Sequence, residues 1–428
     1  MKLFQQMLVA GTAFGLIAPI AAQASDTMNL EGISNYSSSE SKSTRFDSKT
    51  FSEELATLKG RVDGLEAKQN EFEAGSFSDT TVMDQTVVFT VGGAEHTTST
   101  TGTATRGEAV RAQYSYTMNL NSSFTGDDNL YIRIKTGNAG GWMSEKDEGG
   151  YLSSSNTNSD ALKVDKLWYT FPIGDKQTVW IGPKIENYYM HATTPSLYSP
   201  TLKQFTLGGN GAAYGASTNS GLGWAYKADN GLAISSNVVS QQNTTETGFA
   251  TKESKTSWAT QVGYTQPQYS VSAIVNYKSN GWTDEYFSTT NGLSRASVSG
   301  SPTSDSVNIG LRAWLRPEES GSAFPSVSLG YDMSDVQYGP DASDSTDMWF
   351  AGFGWNDMFR ADDKIGVAIG QPQKREDETT DPFAWEAYYA FKANDATEYR
   401  ATVFGGQDRN GTANDDISGA VFQTTFKF

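Results

Sequence analysis

From residue 81 to the C-terminus, apolar and polar positions alternate with a period of two. Val110, Ala112, Tyr114, Tyr116, Met118 and Leu120 interleave with Arg111, Gln113, Ser115, Thr117 and Asn119. Leu130, Ile132 and Ile134 interleave with Tyr131, Arg133 and Lys135. Val307, Ile309, Leu311, Ala313 and Leu315 interleave with Asn308, Gly310, Arg312, Trp314 and Arg316. Successive strand side chains point to opposite faces, so each run has one apolar face and one wet, often charged face. A sandwich core uses the same alternation, and the period alone does not decide.

The connections do decide. Those at 125–129, 174–176, 228–231, 266–268, 359–362 and 393–397 are short, and 317–324 is somewhat longer. Long polar stretches lie between them at 93–109, 138–162, 186–221, 240–255, 279–304, 334–347, 371–382 and 408–415. Strict alternation of short and long connections belongs to a transmembrane β-barrel, with tight turns on one rim and long loops on the other. There are 17 strand candidates, of which 212–217 is the weakest. Assigning it to the preceding loop restores the alternation and leaves 16, an even number. It also makes 186–221 the longest loop, one able to fold into the lumen and narrow it, with His191 and Lys203 as its candidate constriction residues.

Aromatic residues fit the same picture. Trp168, Tyr169, Trp258, Trp282, Trp349, Trp355, Trp385, Tyr389 and Tyr399 fall in or near strand ends, where a membrane girdle would place them. Ordinary β packing also favours aromatics. The last strand ends Phe422-Gln423-Thr424-Thr425-Phe426-Lys427-Phe428, with Phe422, Phe426 and Phe428 on one face. Such an edge would invite aggregation in water, whereas a barrel closes it against the first strand. The ending looks like the signal by which the barrel-assembly machinery recognises outer-membrane barrels, which makes Phe428 its point of contact.

The N-terminal region is different. Lys2, the mostly apolar stretch 7–20 and Ala22-Gln23-Ala24 form a secretory signal over 1–24, too short to cross a bilayer. Residues 25–50 are a polar flexible arm. Over 51–74, Phe51, Leu55, Leu58, Val62, Leu65, Gln69 and Phe72 follow steps of four and three, the seam of a short coiled coil. Gly60 and Gly64 each weaken that helix by roughly 1 kcal/mol, so it needs tethered copies to hold.

Composition narrows the functional classes. The chain has 428 residues, no Cys, two His and a net charge of −17. Disulfide frameworks, zinc fingers, iron–sulfur centres and thiol catalysis are excluded. The acidity argues against nucleic acid, since phosphate binding needs a surplus of Lys and Arg. A mean hydropathy of −0.49 argues against a bundle of membrane helices, each of which needs ~20 apolar residues.

The signal peptide, short heptad helix, acidic β-rich region and terminal Phe together resemble cyanobacterial-type outer-membrane porins of the carbohydrate-selective, OprB-like family. Residues Leu58-Lys59-Gly60-Arg61-Val62-Asp63-Gly64-Leu65-Glu66-Ala67 carry much of the likeness, which covers 51–428. It implies a homotrimer in outer-membrane lipid, a periplasmic coiled coil, and passive diffusion without catalysis or cofactor. Relatives commonly place an S-layer-homology domain before the helix, and 25–50 is too short for one.

The expected architecture is therefore a signal peptide (1–24), an arm (25–50), a periplasmic coiled-coil helix (51–74) and an all-β, 16-stranded antiparallel transmembrane barrel (81–428). If Leu130, Ile132 and Ile134 face lipid, then Tyr131, Arg133 and Lys135 face the lumen. The same parity turns Arg111, Arg312, Arg316, Glu386, Tyr388, Glu398 and Arg400 inward. The lumen is then locally basic and favours small anions, although Arg planes and Tyr rings also suit neutral sugars. The competing reading pairs those bases with acids from the long third loop, 186–221. His96 and His191 lie in predicted polar loops without a catalytic constellation. Gly208-Gly209-Asn210-Gly211 reads as a flexible turn, and Asp408–Asp416 as a solvated loop. The alternative function is a non-conducting structural or adhesive surface β protein, followed by a soluble lectin-like sandwich.

Overall fold

The structure is a computed structural model. It describes residues 58–62, 76–78, 80–97, 109–214, 218–241, 248–282, 304–338, 343–376 and 378–428. The expected signal peptide, the arm and all of the predicted coiled coil except 58–62 lie outside these residues. Residues 58–62 are helical, with Leu58 and Val62 exposed. The chain divides into two compact units between Ser76 and Phe77.

The second unit is almost entirely β. After the short β1 (Ser76–Ser78) come β2 (Thr81–Thr97), β3 (Arg111–Ser122), β4 (Asn129–Gly137), β5 (Lys163–Ile173), β6 (Gln177–Glu186) and β7 (Thr218–Lys227). These are followed by β8 (Leu232–Ser240), β9 (Thr256–Thr265), β10 (Tyr269–Ser279), β11 (Ser304–Leu315) and β12 (Ser326–Tyr338). The series ends with β13 (Ser343–Asn356), β14 (Lys364–Arg375), β15 (Phe383–Asn394), β16 (Thr397–Gln407) and β17 (Asp416–Lys427). From β2 to β17 every strand pairs antiparallel with its chain neighbour, and β17 pairs with β2. The result is a closed barrel of 16 strands. The weak candidate at 212–217 forms no strand within its described part, a turn at 212–214.

Closure follows from where the apolar face lies. On β10, Val271, Val275 and Tyr277 are exposed, while Ser272, Ile274, Asn276 and Lys278 are buried inside the barrel. On β12, Leu329, Tyr331 and Met333 are exposed, while Ser328, Asp332 and Ser334 are buried. A greasy outer surface around the whole wall is what a sheet solvated by hydrocarbon requires. An unpaired amide there costs several kcal/mol, so the sheet must have no edge. Trp258 and Trp349 stand on the outer face as a girdle predicts. Trp168 and Trp282 do not: both are buried, and Trp168 packs inward on Tyr131 at 4.4 Å. His96 is not in a loop either, because β2 runs on to Thr97.

Two short turns share the pattern Phe-x-x-Asp-Asp and one physical device. Asp128 accepts from the amides of Phe124 and Thr125, the hydroxyls of Ser123 and Thr125, and the Tyr169 hydroxyl. Asp363 accepts from the amides of Met358, Phe359 and Arg360 and from the Tyr389 hydroxyl. The Tyr169 hydrogen bond and its fellow donors hold the Asp128 carboxyl below the usual carboxylate range. Each aspartate satisfies turn amides that no strand partner can reach.

The seam between chain ends is zipped by Gln85 N to Phe428 O at 2.7 Å and Phe428 N to Gln85 O at 3.1 Å. Phe426 meets Phe89 edge-on at 5.6 Å on the outer face. Deleting residues 426–428 should therefore lower the yield of heat-resistant folded barrel at least several-fold, read by heat-dependent gel mobility. An unchanged yield would mean that the seam is not limiting for closure.

Candidate functional site: two loops folded against the lumen wall

The longest connection begins where β6 ends, at the rim opposite the short turns. The expected long loop at 334–347 is not one, because β12 runs on to Tyr338 and β13 starts at Ser343. The described part of the longest connection, 187–214, follows the inward side of the wall almost all the way round. The Ala192 amide bonds Ser235 on β8, and Thr193 exchanges two bonds with Gln261 on β9. Trp314 on β11 donates to Thr194 O at 3.1 Å, and Leu197 N donates to Ser328 on β12 at 3.0 Å. Arg400 on β16 donates to Ser199 O at 3.0 Å and lies 4.3 Å over the Tyr388 ring.

Two buried ionisable groups, one acidic and one basic, grip this loop. Glu386, fully buried on β15, accepts from Tyr198 Oη at 2.9 Å, Thr201 N at 3.1 Å and Leu202 N at 2.7 Å. Arg312, buried on β11, donates from Nε to Leu207 O at 2.9 Å and from Nη1 to Asp332 on β12. Its guanidinium lies 4.5 Å from the Tyr214 ring. A carboxylate takes loop amides and a guanidinium takes a loop carbonyl, each bond strengthened by the ionic partner.

The glycine run sits between these grips and is not a flexible surface turn. Leu207, Gly208, Gly209 and Asn210 all have positive φ (56°, 75°, 116° and 53°). The left-handed region costs an ordinary L-residue roughly 1–2 kcal/mol, and glycine little. A Cβ on Gly208 would come 2.6 Å from Arg312 Cδ, and one on Gly211 would strike the Asp332 carboxylate.

A second loop, 138–162, also folds inward, which the sequence reading missed. Trp142, Met143 and Leu152 join Tyr198, Leu202, Phe205, Phe350, Tyr388, Phe404 and Ile417 in a buried cluster inside the barrel. Ser153 N donates to Thr201 O and Lys203 N to Tyr151 O, both at 2.8 Å, so the two loops pair through Leu152 and Leu202. Apolar residues in an otherwise polar stretch were the available signal. Near this loop's outer end, His96 and Arg409 both reach Asp415, at 2.6 and 2.9 Å, and Arg409 is buried. The 408–416 stretch thus joins an exposed tip at Thr412, Ala413 and Asn414 to an ionic corner beneath it, because Arg409 needs internal partners once it is covered.

What remains less covered lies along β2–β6. Asn119 and Asn121 both donate to Asp84 there. Tyr131 stacks into Trp168, and Trp168 into Tyr189 at 4.9 Å. Arg133 bonds Asp165 through Nε at 2.6 Å and the Tyr189 hydroxyl at 2.9 Å. Lys166 pairs with Glu186 at 3.0 Å, and Lys203 acts electrostatically on the same carboxylate. The Lys135 side chain faces this group, and its carbonyl accepts from Asn158 Nδ2 at 2.8 Å.

The predicted lumen residues therefore separate. Tyr131, Arg133, Lys135 and Lys203 are half-buried in one group, and Arg400 is half-buried across from them. Arg312, Glu386 and Tyr388 face inward but are sealed beneath the loop. Arg111 is exposed at the long-loop end of β3, beside Gly141. Arg316 lies beyond the end of β11 at the short-turn rim, bonded to Pro267 O. The bases do pair with acids, but those acids come from neighbouring strands. Among the described residues, no His, Asp and Glu cluster is placed to hold a metal ion.

His191 is half-buried, and its Nδ1 meets Asn237 at 3.3 Å while Nε2 has no partner. Desolvation pushes its pKa down to about 3. The unfolded loop would take up a proton near pH 6.5, so the folded loop loses stability as pH falls from 6.5 towards 3. Conductance noise from loop release should rise over that window and be reduced in His191→Gln; noise that is flat with pH would contradict this. Glu386→Ala orphans three donors at roughly 1–3 kcal/mol each. It should raise single-channel conductance and its scatter, with Glu386→Gln intermediate; unaltered conductance in both would contradict the clamp.

The profile of the carbohydrate-selective porin, OprB family, matches residues 43–399. A protein of Nostoc sp. whose function is uncharacterized is 26% identical over 426 residues, covering 88% of this chain and 70% of its own. Two solved structures share the fold. OprB of Pseudomonas putida has a TM-score of 0.57 and 11% identity, covering 82% of this chain and 94% of its own. An anion-selective porin from Comamonas acidovorans has a TM-score of 0.53 and 10% identity, covering 82% and 99%.

Proposed function

The chain belongs to the carbohydrate-selective porin, OprB family, whose members are channels rather than enzymes, and on that premise we propose an outer-membrane porin for small hydrophilic solutes, inorganic ions and neutral sugars. Solutes diffuse down their gradients through a lumen narrowed by 187–214, backed by 138–162, along the β2–β6 wall. The long-loop rim faces outward and the short-turn rim faces the periplasm, as in barrels of this class. The segment 1–24 directs export, and 51–74 bundles in the periplasm of a homotrimer. The wall from β4 to β10, with strands of nine to eleven residues against 13 and 14 in β12 and β13, is where the subunits meet.

One observation carries the selectivity. Arg133, Lys135, Lys166 and Lys203 gather about Asp165 and Glu186, so basic side chains outnumber acidic ones in this group. Fixed positive charge beside a narrow aqueous path favours anions. The porin from Comamonas acidovorans, described as anion-selective, is in keeping with this reading. In asymmetric KCl the reversal potential should report chloride over potassium, and Lys135→Glu should lower that preference several-fold. Cation preference in the unmodified protein would overturn the assignment. A bilayer without discrete current steps would instead favour a non-conducting surface protein.

A further inference from the structure

We propose that Tyr151, on loop 138–162, sets the size limit of the pore, so that this loop forms one wall of the opening as well as a support for loop 187–214. The role rests on the reading above that solutes cross the barrel along β2–β6. The two loops meet in an antiparallel bridge between Leu152 and Leu202. The bonds that make it run from Ser153 N to Thr201 O and from Lys203 N to Tyr151 O, both at 2.8 Å. That register sets Tyr151 directly opposite Lys203. Successive side chains of extended backbone leave on opposite faces. Leu152 and Leu202, both fully buried, turn into the apolar cluster with Trp142, Phe205 and Phe404. Tyr151, Ser153 and Lys203 therefore share the other face. Ser153 is exposed there, and Tyr151 and Lys203 are half-buried, so this face meets the open lumen. Lys203 acts on the Glu186 carboxylate that Lys166 also holds. The pair of Tyr151 and Lys203 thus looks across the opening at the basic group of β4–β6.

The backbone under Tyr151 is held on both sides. Upstream, Tyr151 N donates to Asp147 O at 3.3 Å. Gly149 passes so close to β16 that a Cβ on it would come 2.7 Å from Gly406 Cα. Downstream, Ser153 Oγ donates to Pro200 O at 3.3 Å. Gln423 on β17 donates to Ser154 Oγ at 2.8 Å, and Gln113 on β3 to Ser155 Oγ at 3.2 Å. A phenol on backbone so fixed has only two side-chain torsions left to vary, and it stands in the opening as a stiff obstacle. Passage through a narrow aqueous path depends on its diameter as well as on the charge of its lining. Two adjacent side chains from two loops divide these roles. Lys203 adds to the positive field that selects the sign of the solute, and the Tyr151 ring limits its width.

Planar-bilayer recording on the full folded barrel, with chloride and the larger gluconate as the permeating anions, tests this role. Tyr151→Ala should raise single-channel conductance and increase the permeability of gluconate relative to chloride several-fold, with the preference for chloride over potassium unchanged. Tyr151→Trp should move both quantities the other way, which loosening of the loop would not do. Tyr151→Phe keeps the ring and should match the unmodified protein. Lys203→Gln should lower the preference for chloride over potassium and leave the relative permeability of gluconate in place. Conductance and gluconate permeability that stay the same in Tyr151→Ala and Tyr151→Trp would overturn the size limit, and so would a Tyr151→Phe variant that behaves like Tyr151→Ala. Ohmic, anion-preferring steps that none of the Tyr151 variants alters remove only the role of Tyr151. A silent bilayer, or cation preference in the unmodified protein, removes the anion-preferring porin itself.

Discussion

Every amide that faces hydrocarbon must find a partner within the sheet, and this requirement organises the whole barrel. Sixteen strands satisfy it only because β17 returns to β2, so the seam from 85–97 to 416–428 carries the same ladder as every other pair. Closure then fixes two faces. The outer one is apolar, and the inner one collects the polar and charged residues that the alternation leaves.

A barrel of this girth leaves its interior to be filled, and two loops do so in different ways. Loop 187–214 brings backbone, and the wall answers with Glu386 for its amides and Arg312 for its carbonyl. Loop 138–162 brings Trp142, Met143 and Leu152 and packs them on the first. Burial of each group is tolerable because it is hydrogen-bonded, Glu386 by the loop and Arg312 by the loop and Asp332. The loop and its clamps therefore stabilise one another.

The alternation carried most of the fold. It gave the strand number, the two rims and the inward direction of Arg133, Arg312, Glu386 and Arg400. It could not say which inward residues stay wet, because that depends on contacts across long sequence separations: Leu207 lies 105 positions from Arg312, and Leu202 lies 184 from Glu386. Composition misled at the Gly208–Gly211 run, where glycines that look mobile are required by close approach of Arg312 and Asp332. Trp168 misled for a related reason, since it stands opposite the inward Tyr131 and packs on Tyr189 of the long loop.

The central claim is that the apolar face meets lipid while the polar face lines water. The chain has no native cysteine, so single cysteines placed at 117 to 121 on β3 would be its sole thiols. Treated in intact outer membranes with a charged, water-soluble thiol reagent, positions 117, 119 and 121 should react and positions 118 and 120 should stay protected. Uniform reactivity along the strand, or protection of all five positions, would contradict the account.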